Sequence, residues 1–310
     1  MTIPAVTTVV GAGTMGPGIA AVLARAGSDV RVYDISAAAL TRAKAAYDLA
    51  VKVLEDLDAQ RNPGGSVHFH SELATALDGA EFIVEAVPEK IELKKTVLAR
   101  IEDAVSASAI IATNTSGIPI SDMADGLAHP ERLIGMHWSN PPHLIPMIEI
   151  IRGDATATAV QEHLLKIVEA FGYEAVLEKE TPGFVENRVL YAIMRECLAL
   201  LEQGIVSQQD LDTCVKWGIG YKLSVVGPMR LLDMAGLDVY ENVSSYLNAQ
   251  LNNSSGVPEM ITKLTADGKL GMKSGDGMYA YGEGEVAAKR ADIVQGLVAA
   301  RKALSATKPV

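Results

Sequence analysis

A glycine pattern near the amino terminus constrains the fold of this chain more than any other feature. A Gly-x-Gly-x-x-Gly run at residues 11–16 separates a short apolar stretch at 5–10 from a helical pattern at 14–26. In this context the first glycine permits a tight turn, the second lets the backbone approach a pyrophosphate, and the third lets the helix pack on the strand. We therefore predict a βα unit that binds a dinucleotide. The residues expected to contact it are Gly11, Gly13, Thr14, Met15 and Gly16.

Asp34 follows the next apolar stretch, at 30–33, and predicts which dinucleotide binds. A carboxylate at the end of the second strand can accept hydrogen bonds from both hydroxyls of a ribose. Its negative charge would repel a 2′-phosphate, and Ile35 and Ser36 supply no cation to compensate. The sequence therefore predicts NAD rather than NADP. The alternative, a structural glycine turn beside a surface aspartate, fits the flanking strand and helix patterns less well.

Strand and helix patterns alternate along the first part of the chain. Further strand patterns lie near residue 67 and at 82–87, 109–113, 133–137 and 147–151, and helical patterns lie at 36–57, 92–105 and 155–171. Such alternation predicts a parallel sheet with helices on both faces. After residue 183 the strand patterns vanish and helical periodicity takes over. We predict an α/β fold, with a Rossmann-type, doubly wound and mainly parallel sheet at 1–181 and an all-helical C-terminal domain at 182–310.

Composition and charge argue against several classes of protein. The formal net charge of −11 disfavours nucleic acid and anionic membrane surfaces as partners, because both attract basic patches. No apolar run reaches the roughly 20 residues that cross a bilayer, and residues 1–5 carry no basic export signal. Cys197 and Cys214 lie far apart and lack metal-ligand spacing, so we expect core thiols of a cytoplasmic protein and no metal. A small-molecule substrate is the remaining expectation.

The segment 137–149 predicts the reaction centre, because it carries an imidazole, a carboxamide and a carboxylate. An imidazole held in one tautomer by a carboxylate acts as a general base near neutral pH. Two strands joined by the Asn-Pro-Pro turn at 140–142 would bring Glu149 beside His137. A lone histidine is more often structural than catalytic, but this partner favours catalysis. Beside a nicotinamide, such a base takes the proton of a substrate hydroxyl while the hydride leaves, so the sequence predicts a dehydrogenase.

Three further polar residues are expected near this base. Ser116 follows the strand pattern at 109–113, at the end where open α/β sheets bind ligands. Asn140 lies in the Asn-Pro-Pro turn, and Asn187 lies in the first turns of a long helical pattern. Two amides and a hydroxyl can hold the oxygen on which negative charge develops in the transition state.

Together these motifs resemble the 3-hydroxyacyl-CoA dehydrogenase family over nearly the whole chain. The other matching motifs are Glu85-Ala-Val-Pro-Glu89, Asn114-Thr-Ser116, Thr181-Pro-Gly-Phe-Val-Glu-Asn187-Arg188, Gly227-Pro228, Leu232-Asp233, Gly236-Leu237-Asp238 and Lys273-Ser-Gly-Asp-Gly-Met-Tyr279. The resemblance implies that His137 is the base and that Glu149 orients it. It also implies a two-domain fold and a homodimer formed through the helical domain. The residues implied to contact the substrate or the base are Ser116, Asn140 and Asn187, and those implied at the cofactor are Asn114 and, on the nicotinamide side, Glu89 and Lys94.

The chain departs from the CoA-using members of this family in the helix after the second strand. Those members have a lysine-rich helix that meets the CoA phosphates. Here the helix at 37–60 carries Arg42, Lys44 and Lys52 but ends in an acidic run at 55–58. An acidic run is poorly suited to bind a nucleotide with several phosphates. The Pro-Pro-His turn at 141–143 is similar to the branch of the family that acts on free acids, and the stretch at 220–227 is longer than the corresponding turn of the CoA enzymes.

These departures predict a small carboxylated alcohol or aldehyde as the substrate, an aldehyde being oxidised as its hydrate. Trp138 is a candidate to stack on an aromatic ring, with core packing as the equal alternative. Arg188 or Lys222 is a candidate to pair with the substrate carboxylate, although a solvated or interhelical ion pair is the simpler expectation. His143 is expected to face solvent beyond the turn, with contact to the ligand as the less favoured alternative.

Two other functions stay open from the sequence. One is a 3-hydroxyacyl-CoA dehydrogenase, such as an (S)-3-hydroxybutyryl-CoA dehydrogenase, which would need cations around the mouth of the cleft. The other is a non-catalytic NAD-binding protein, like the eye-lens relatives of this family. The presence of both His137 and Glu149 argues against the non-catalytic alternative.

Overall fold

A computed structural model of the chain describes residues 3–59 and 61–306. Gln60, where the second long helix was predicted to end, lies outside the described residues, as do residues 1, 2 and 307–310. The chain divides into two compact units, Met1–Asn187 and Arg188–Val310. The division falls within a helix, Phe184–Glu202, that continues from one unit into the other.

The first unit is built on an eight-stranded sheet with the strand order β3-β2-β1-β4-β5-β6-β7-β8. The strands are β1 Val6–Val10, β2 Asp29–Tyr33, β3 Ser66–His70, β4 Phe82–Glu85, β5 Ile110–Thr113, β6 Leu133–Trp138, β7 Met147–Arg152 and β8 Glu174–Lys179. All neighbouring strands run parallel except β6 and β7, which are antiparallel. The predicted Rossmann-type, mainly parallel sheet is therefore confirmed.

Helices cover both faces of this sheet. They are α1 Gly16–Arg25, α2 Ala37–Asp56, α3 Leu73–Leu77, α4 Ile91–Ala104, α5 Ile120–Ala124, α6 Thr158–Ala170 and the start of α7 Phe184–Glu202. Central strands such as β4 and β5 are buried at every residue, because parallel strands between two helix layers need apolar side chains on both faces. Helices α1, α2 and α6 contribute to one apolar core, and α3, α4 and α5 contribute to the other.

The strand order reverses between β1 and β4, and this reversal positions the site. Strands β2 and β3 extend the sheet on one side of β1, whereas β4 and the later strands extend it on the other. At such a switch point the loops after two adjacent parallel strands turn to opposite faces and leave a crevice at their carboxyl ends. The glycine run follows β1, and the Glu85–Glu89 motif follows β4, so both lie at this crevice.

The second unit is helical, as predicted. Its helices after α7 are α8 Gln208–Cys214, a π-helical turn Val215–Gly220, α9 Tyr221–Leu223, α10 Pro228–Ala235, α11 Leu237–Leu247, α12 Glu259–Ala266 and α13 Glu285–Ser305. In the described part of this unit, β pairing is limited to isolated bridges between Gly271, Asp276 and Ala280. No helix within the described ranges is long and apolar enough to cross a membrane.

Several elements were not predicted, and the cysteines lie differently from the expectation. Strand β8 and the short helices α3 and α5 have no counterpart among the predicted patterns, and α12 and α13 were expected only as part of the all-helical domain. The strand β8 is largely exposed and mixes charged with apolar residues, so it lacks the apolar run that marked the other strands.

Cys214 is exposed and Cys197 only half-buried, so the prediction of core thiols is wrong.

Candidate active site

The glycine loop has the geometry of a pyrophosphate-binding turn. Gly11 has a φ of +120°, and a Cβ atom there would lie 2.5 Å from the Ala86 carbonyl oxygen. A Cβ atom at Gly16 would lie 2.1 Å from the Gly11 carbonyl oxygen, where α1 begins. Gly13 is exposed, and a Cβ atom there would meet nothing within 4 Å among the described residues. The first and third glycines are therefore required by packing, whereas the second leaves open space where a phosphate can approach the helix N-terminus.

The other predicted cofactor residues of this region lie around that loop. Thr14 is exposed at its tip, and Met15 is partly buried against the core. Asp34 accepts hydrogen bonds from the backbone N–H of Ala12 at 3.0 Å and of Ser36 at 2.8 Å. Its carboxylate thus joins the end of β2 to the glycine loop. Its predicted contact with the ribose stays a prediction.

His137 and Glu149 form a buried pair. They lie opposite each other in the antiparallel register of β6 and β7. Nδ1 of His137 lies 2.6 Å from Oε2 of Glu149, and the two residues are only 6% and 1% exposed. Because the carboxylate holds Nδ1 as the proton donor, Nε2 is left as the atom that can accept a proton from a substrate.

The first turn of α7 holds the other oxygen of Glu149. Oε1 accepts hydrogen bonds from the backbone N–H of Glu186 at 2.7 Å and of Val185 at 3.1 Å. Burial raises the pKa of Glu149, but the hydrogen bonds from His137 and from these backbone groups outweigh it, so its pKa falls below the usual value. Glu149 is therefore a carboxylate whose negative charge can stabilise an imidazolium.

Hydrogen bonds connect the loop after β5, which carries Asn114 and Ser116, with the loop after β4, the end of β6 and helix α7. The backbone N–H of Ser116 donates to Oε1 of Glu89 at 2.8 Å, and its carbonyl accepts from Nδ2 of Asn187 at 3.0 Å. Oδ1 of Asn114 accepts from the backbone N–H of Trp138 at 2.9 Å. The structure thus joins three predicted residues, Glu89, Ser116 and Asn187, in one network, holds Asn114 in the same loop as Ser116, and leaves the side chain of Ser116 exposed.

Lys94 lies below this network. Its side chain has no exposed surface, and Nζ lies 2.9 Å from both carboxylate oxygens of Glu85 and 3.4 Å from Oε2 of Glu89. The expectation that Lys94 contacts the cofactor is therefore corrected. Its ammonium is enclosed and holds Glu85 and Glu89 in place. Glu85 had no predicted role beyond its place in a family motif, although a glutamate at the end of an apolar strand pattern is a signal of a buried ion pair.

Trp138 does not face the site, and the prediction that it stacks on a substrate ring is wrong. Successive residues of a strand point to opposite faces, so Trp138 lies across the sheet from His137. Its indole is 1% exposed, stacks on Phe171 at 5.9 Å between ring centroids and contacts Tyr173 edge-on at 5.7 Å. Core packing, the alternative considered for this residue, describes the position of its ring, although the buried indole Nε1 has no hydrogen-bond partner among the described residues.

The turn between β6 and β7 packs against the helix that starts at the glycine loop. A Cβ atom at Gly18 would lie 2.7 Å from Cγ of Pro142 and 2.8 Å from Nδ1 of His143. His143 is thus partly buried against α1 instead of facing solvent. Asn140 is exposed at the start of this turn, before a cis peptide bond to Pro141. The close approach at Gly18 connects the hairpin of the His137–Glu149 pair with the cofactor-loop helix.

The two predicted cationic substrate contacts belong to the second unit. Arg188 and Lys222 are both exposed there, Arg188 in α7 and Lys222 in α9. Their pairing with a substrate carboxylate stays a prediction.

Glu186 is a further carboxylate near the pair. Its Oε2 accepts a hydrogen bond from the Ser139 hydroxyl at 2.5 Å. One nitrogen of His137 and one carboxylate oxygen each of Glu149 and Glu186 lie within 4.8 Å of one another, a spacing that metal sites also use. The hydrogen bonds described above already engage both carboxylates, and the prediction of no metal stays a prediction.

Comparisons with known proteins match this architecture. The family profile "3-hydroxyacyl-CoA dehydrogenase, NAD binding domain" matches residues 6–181, and the profile of the C-terminal domain of the same family matches residues 183–281. The 5-formyl-3-hydroxy-2-methylpyridine 4-carboxylate 5-dehydrogenase of Mesorhizobium japonicum is 46% identical over 299 residues, which cover 96% of this chain and 97% of that protein. The mitochondrial hydroxyacyl-coenzyme A dehydrogenase of Homo sapiens is 32% identical over 88% of this chain and 90% of its own length.

A solved structure is similar over the full length. The crystal structure of a 5-formyl-3-hydroxy-2-methylpyridine 4-carboxylic acid 5-dehydrogenase, described as an NAD+-dependent dismutase, superimposes with a TM-score of 0.95 at 44% identity. The match covers 99% of this chain and 100% of that chain. The profile matches, the sequence identities and the paired His137 and Glu149 agree: this chain is an NAD-dependent oxidoreductase of the 3-hydroxyacyl-CoA dehydrogenase family.

Proposed function

We propose that this chain oxidises a small carboxylated aldehyde or alcohol with NAD+, and that 5-formyl-3-hydroxy-2-methylpyridine 4-carboxylate, converted to the dicarboxylate, is the best candidate substrate. The observation that carries the proposal is the buried pair of His137 and Glu149, 2.6 Å apart, beside the carboxyl ends of the parallel strands. The 46% identical relative from Mesorhizobium japonicum supports the choice of substrate.

His137 acts as the general base in the proposed reaction. Nε2 of His137 takes the proton from one hydroxyl of the aldehyde hydrate, and Glu149 stabilises the imidazolium that forms. Bound NAD+ supplies the hydride acceptor, so the balanced change is one hydrate and one NAD+ to one carboxylic acid, one NADH and one proton. Because Glu149 is fixed by His137 and by two backbone N–H groups, the imidazole needs no reorganisation when it becomes charged.

Polar groups around Ser116 hold the substrate oxygen in this proposal. The exposed hydroxyl of Ser116 and the exposed carboxamide of Asn140 are the proposed donors to the developing oxyanion. Asn187 fixes the backbone of Ser116 by its hydrogen bond at 3.0 Å. Glu89 fixes the same backbone from the other side at 2.8 Å, so the proposed donor stands on a rigid loop.

The acidic end of α2 supports a free acid over a CoA ester. Glu55 and Asp56 are exposed there, so the approach of several phosphates would be repelled. One of the helix cations, Lys44, lies 5.6 Å from the centroid of the Phe69 ring and is engaged in a cation–π contact. A 3-hydroxyacyl-CoA dehydrogenase is the alternative, because CoA-using relatives such as the human enzyme share 32% identity.

A homodimer through the helical unit is part of the proposal. The second unit exposes many large apolar side chains, which a second copy can cover. Examples in different elements are Trp217 at 62%, Met234 at 69%, Tyr240 at 51% and Tyr246 at 64% exposure. Measurement of the molar mass in solution tests this: twice the chain mass is expected, and a monomer at micromolar concentration would contradict it.

The cytoplasmic location expected from the sequence is likewise kept as a proposal, supported by the two free cysteines.

The substrate is tested by following NADH absorbance with candidate substrates supplied in turn. They are 5-formyl-3-hydroxy-2-methylpyridine 4-carboxylate, gulonate, carnitine and, with NADH, acetoacetyl-CoA. Turnover of the pyridine aldehyde with NAD+ is expected. Steady turnover of acetoacetyl-CoA at micromolar concentration, without turnover of the free acids, would establish the CoA alternative. No turnover of any compound would favour the non-catalytic alternative. Product analysis with NAD+ well below the aldehyde concentration shows whether acid and alcohol form together, the dismutation for which the similar crystal structure is described.

A further inference from the structure

A second carboxyl group, that of Glu178, lies on the same face of the sheet as the His137–Glu149 pair. In the parallel register of β7 and β8, Glu149 is opposite Val176, and Glu178 follows two residues later. Residues two apart on a strand point to the same face, so Glu178 approaches Glu149 diagonally. Strand β8 is the last strand of the sheet.

Both carboxyl groups use the same hydrogen-bond donor. The backbone N–H of Val185 lies 3.1 Å from Oε1 of Glu149 and 3.1 Å from Oε2 of Glu178. Two carboxylates that converge on one N–H repel each other, and the repulsion is relieved when one of them takes up a proton.

The two carboxyl groups are not equally suited to carry the charge. Glu149 also accepts hydrogen bonds from Nδ1 of His137 and from the backbone N–H of Glu186. Oε1 of Glu178, in contrast, is buried and has no hydrogen-bond partner among the described residues. The proton therefore belongs on Glu178. Burial, and then the charge of Glu149, raise the pKa of Glu178 to about 7, against the opposing effects of the Val185 N–H and of His137.

Other charged groups near Glu178 point elsewhere or are already engaged. Glu186, on α7, accepts from the Ser139 hydroxyl. Glu180, next on the same face of the chain, accepts from the backbone N–H of Ser121. Arg152 and Lys179 are opposite each other in the register of β7 and β8, one position after the pair of Ile151 and Glu178. Their side chains therefore point to the other face of the sheet.

We propose that Glu178 is a positioning residue of the active site, a carboxyl group that shares the Val185 N–H with Glu149 and whose ionisation raises the proton affinity of the His137–Glu149 pair. This inference rests on the proposed function, because it concerns the general base of that reaction. The sign follows from charge: an ionised Glu178 adds a second negative charge near the imidazole and favours its protonated, inactive form. The neutral, protonated carboxyl group of Glu178 adds no such charge.

The test compares Glu178→Gln with the wild type in the dependence of kcat/KM on pH. Glutamine keeps the shape of the protonated acid but cannot ionise, so the acid limb of the profile should move to lower pH by about half to one unit. Glu174→Gln is the matched control, because Glu174 lies on the same strand and is exposed. The control variant should keep the wild-type profile. An acid limb of Glu178→Gln that coincides with the wild type would overturn the inference.

A stability measurement makes the test independent of turnover. The folded-state pKa of Glu178 lies above the unfolded value, so its stabilising contribution is fully present below the unfolded value and is lost as pH rises toward about 7. Glu178→Gln avoids this loss, so its Tm relative to the wild type should rise between about pH 5 and about pH 8, whereas that of Glu174→Gln should not. A constant Tm difference across this range would contradict the protonation of Glu178.

The two measurements separate the possible failures. A wild type that turns over none of the substrates would overturn the proposed function, while the Tm comparison still decides whether Glu178 titrates as inferred. If Glu178→Gln is insoluble, Glu178→Asp serves instead. It keeps an ionisable group farther from Glu149, so its acid limb should also move to lower pH, and an unchanged limb would again overturn the inference.

Discussion

The ammonium of Lys94 lies 2.9 Å from both carboxylate oxygens of Glu85, and neither side chain has any exposed surface. The Thr113 hydroxyl and the backbone N–H of Val87 also donate to this carboxylate, at 2.6 and 2.7 Å. A buried ion pair is costly to desolvate, and it is retained only where its hydrogen bonds are satisfied. Here it fixes the loop after β4, and through Glu89 it supports the backbone of Ser116.

We expect Lys94→Met to destabilise the protein by about 3–5 kcal/mol, because it leaves Glu85 buried without a counterion. Lys95→Met is the matched control at the next position, where an ion pair with Asp125 is largely exposed and is worth about 0–1 kcal/mol. Urea denaturation of the two variants measures the difference. Equal midpoints for Lys94→Met and Lys95→Met would contradict the structural role given to the buried pair.

His137→Gln and Glu149→Gln should each lower kcat by about 10²–10⁴-fold, because the first removes the base and the second removes the charge that stabilises its protonated form. NAD+ binding should be little changed, since neither residue belongs to the glycine loop. His129→Gln is the control, because His129 is half-exposed beside Glu131. Steady-state kinetics and NADH fluorescence titration measure both quantities. A His137→Gln variant as active as His129→Gln would remove the base from the mechanism.

The sequence predicted the parts of this site that depend on local patterns. The glycine run lies between a strand and a helix, and His137 and Glu149 meet because the turn between their strands places them opposite each other. Trp138 was ambiguous, because every residue of β6 is buried and the strand shows no polar–apolar alternation to assign its faces. Glu178 was missed because β8 carries no strand signal and its proximity to Glu149 is a matter of sheet register.

The glycine loop offers a prediction that separates folding from cofactor binding. Gly13→Ala should fold with nearly wild-type stability, because its Cβ would meet nothing within 4 Å in the described structure. It should nevertheless weaken NAD+ binding by roughly tenfold or more, because the added methyl group obstructs the approach of the pyrophosphate. Gly16→Ala should instead lower stability by about 1–3 kcal/mol, because its Cβ would lie 2.1 Å from the Gly11 carbonyl oxygen. Thermal denaturation and NADH titration of both variants test this. Comparable Tm losses in the two variants would contradict the open position of Gly13.

Asp34 should determine the preference for NAD+ over NADP+. Its carboxylate is fixed at the end of β2 by the backbone N–H groups of Ala12 and Ser36, so it cannot turn away from a 2′-phosphate without losing these hydrogen bonds. Asp34→Ser removes the negative charge and keeps an acceptor for the backbone, and we expect the ratio of kcat/KM for NAD+ to that for NADP+ to fall by roughly 10–100-fold. Asp48→Ser, an exposed position on α2, controls for the loss of one negative charge and should leave the ratio unchanged. Because the carboxylate is expected both to accept hydrogen bonds from the ribose hydroxyls of NAD+ and to repel the 2′-phosphate of NADP+, the ratio should fall through poorer use of NAD+ and better use of NADP+. A variant that loses NAD+ activity without gaining NADP+ activity would show that repulsion of the 2′-phosphate does not set the preference.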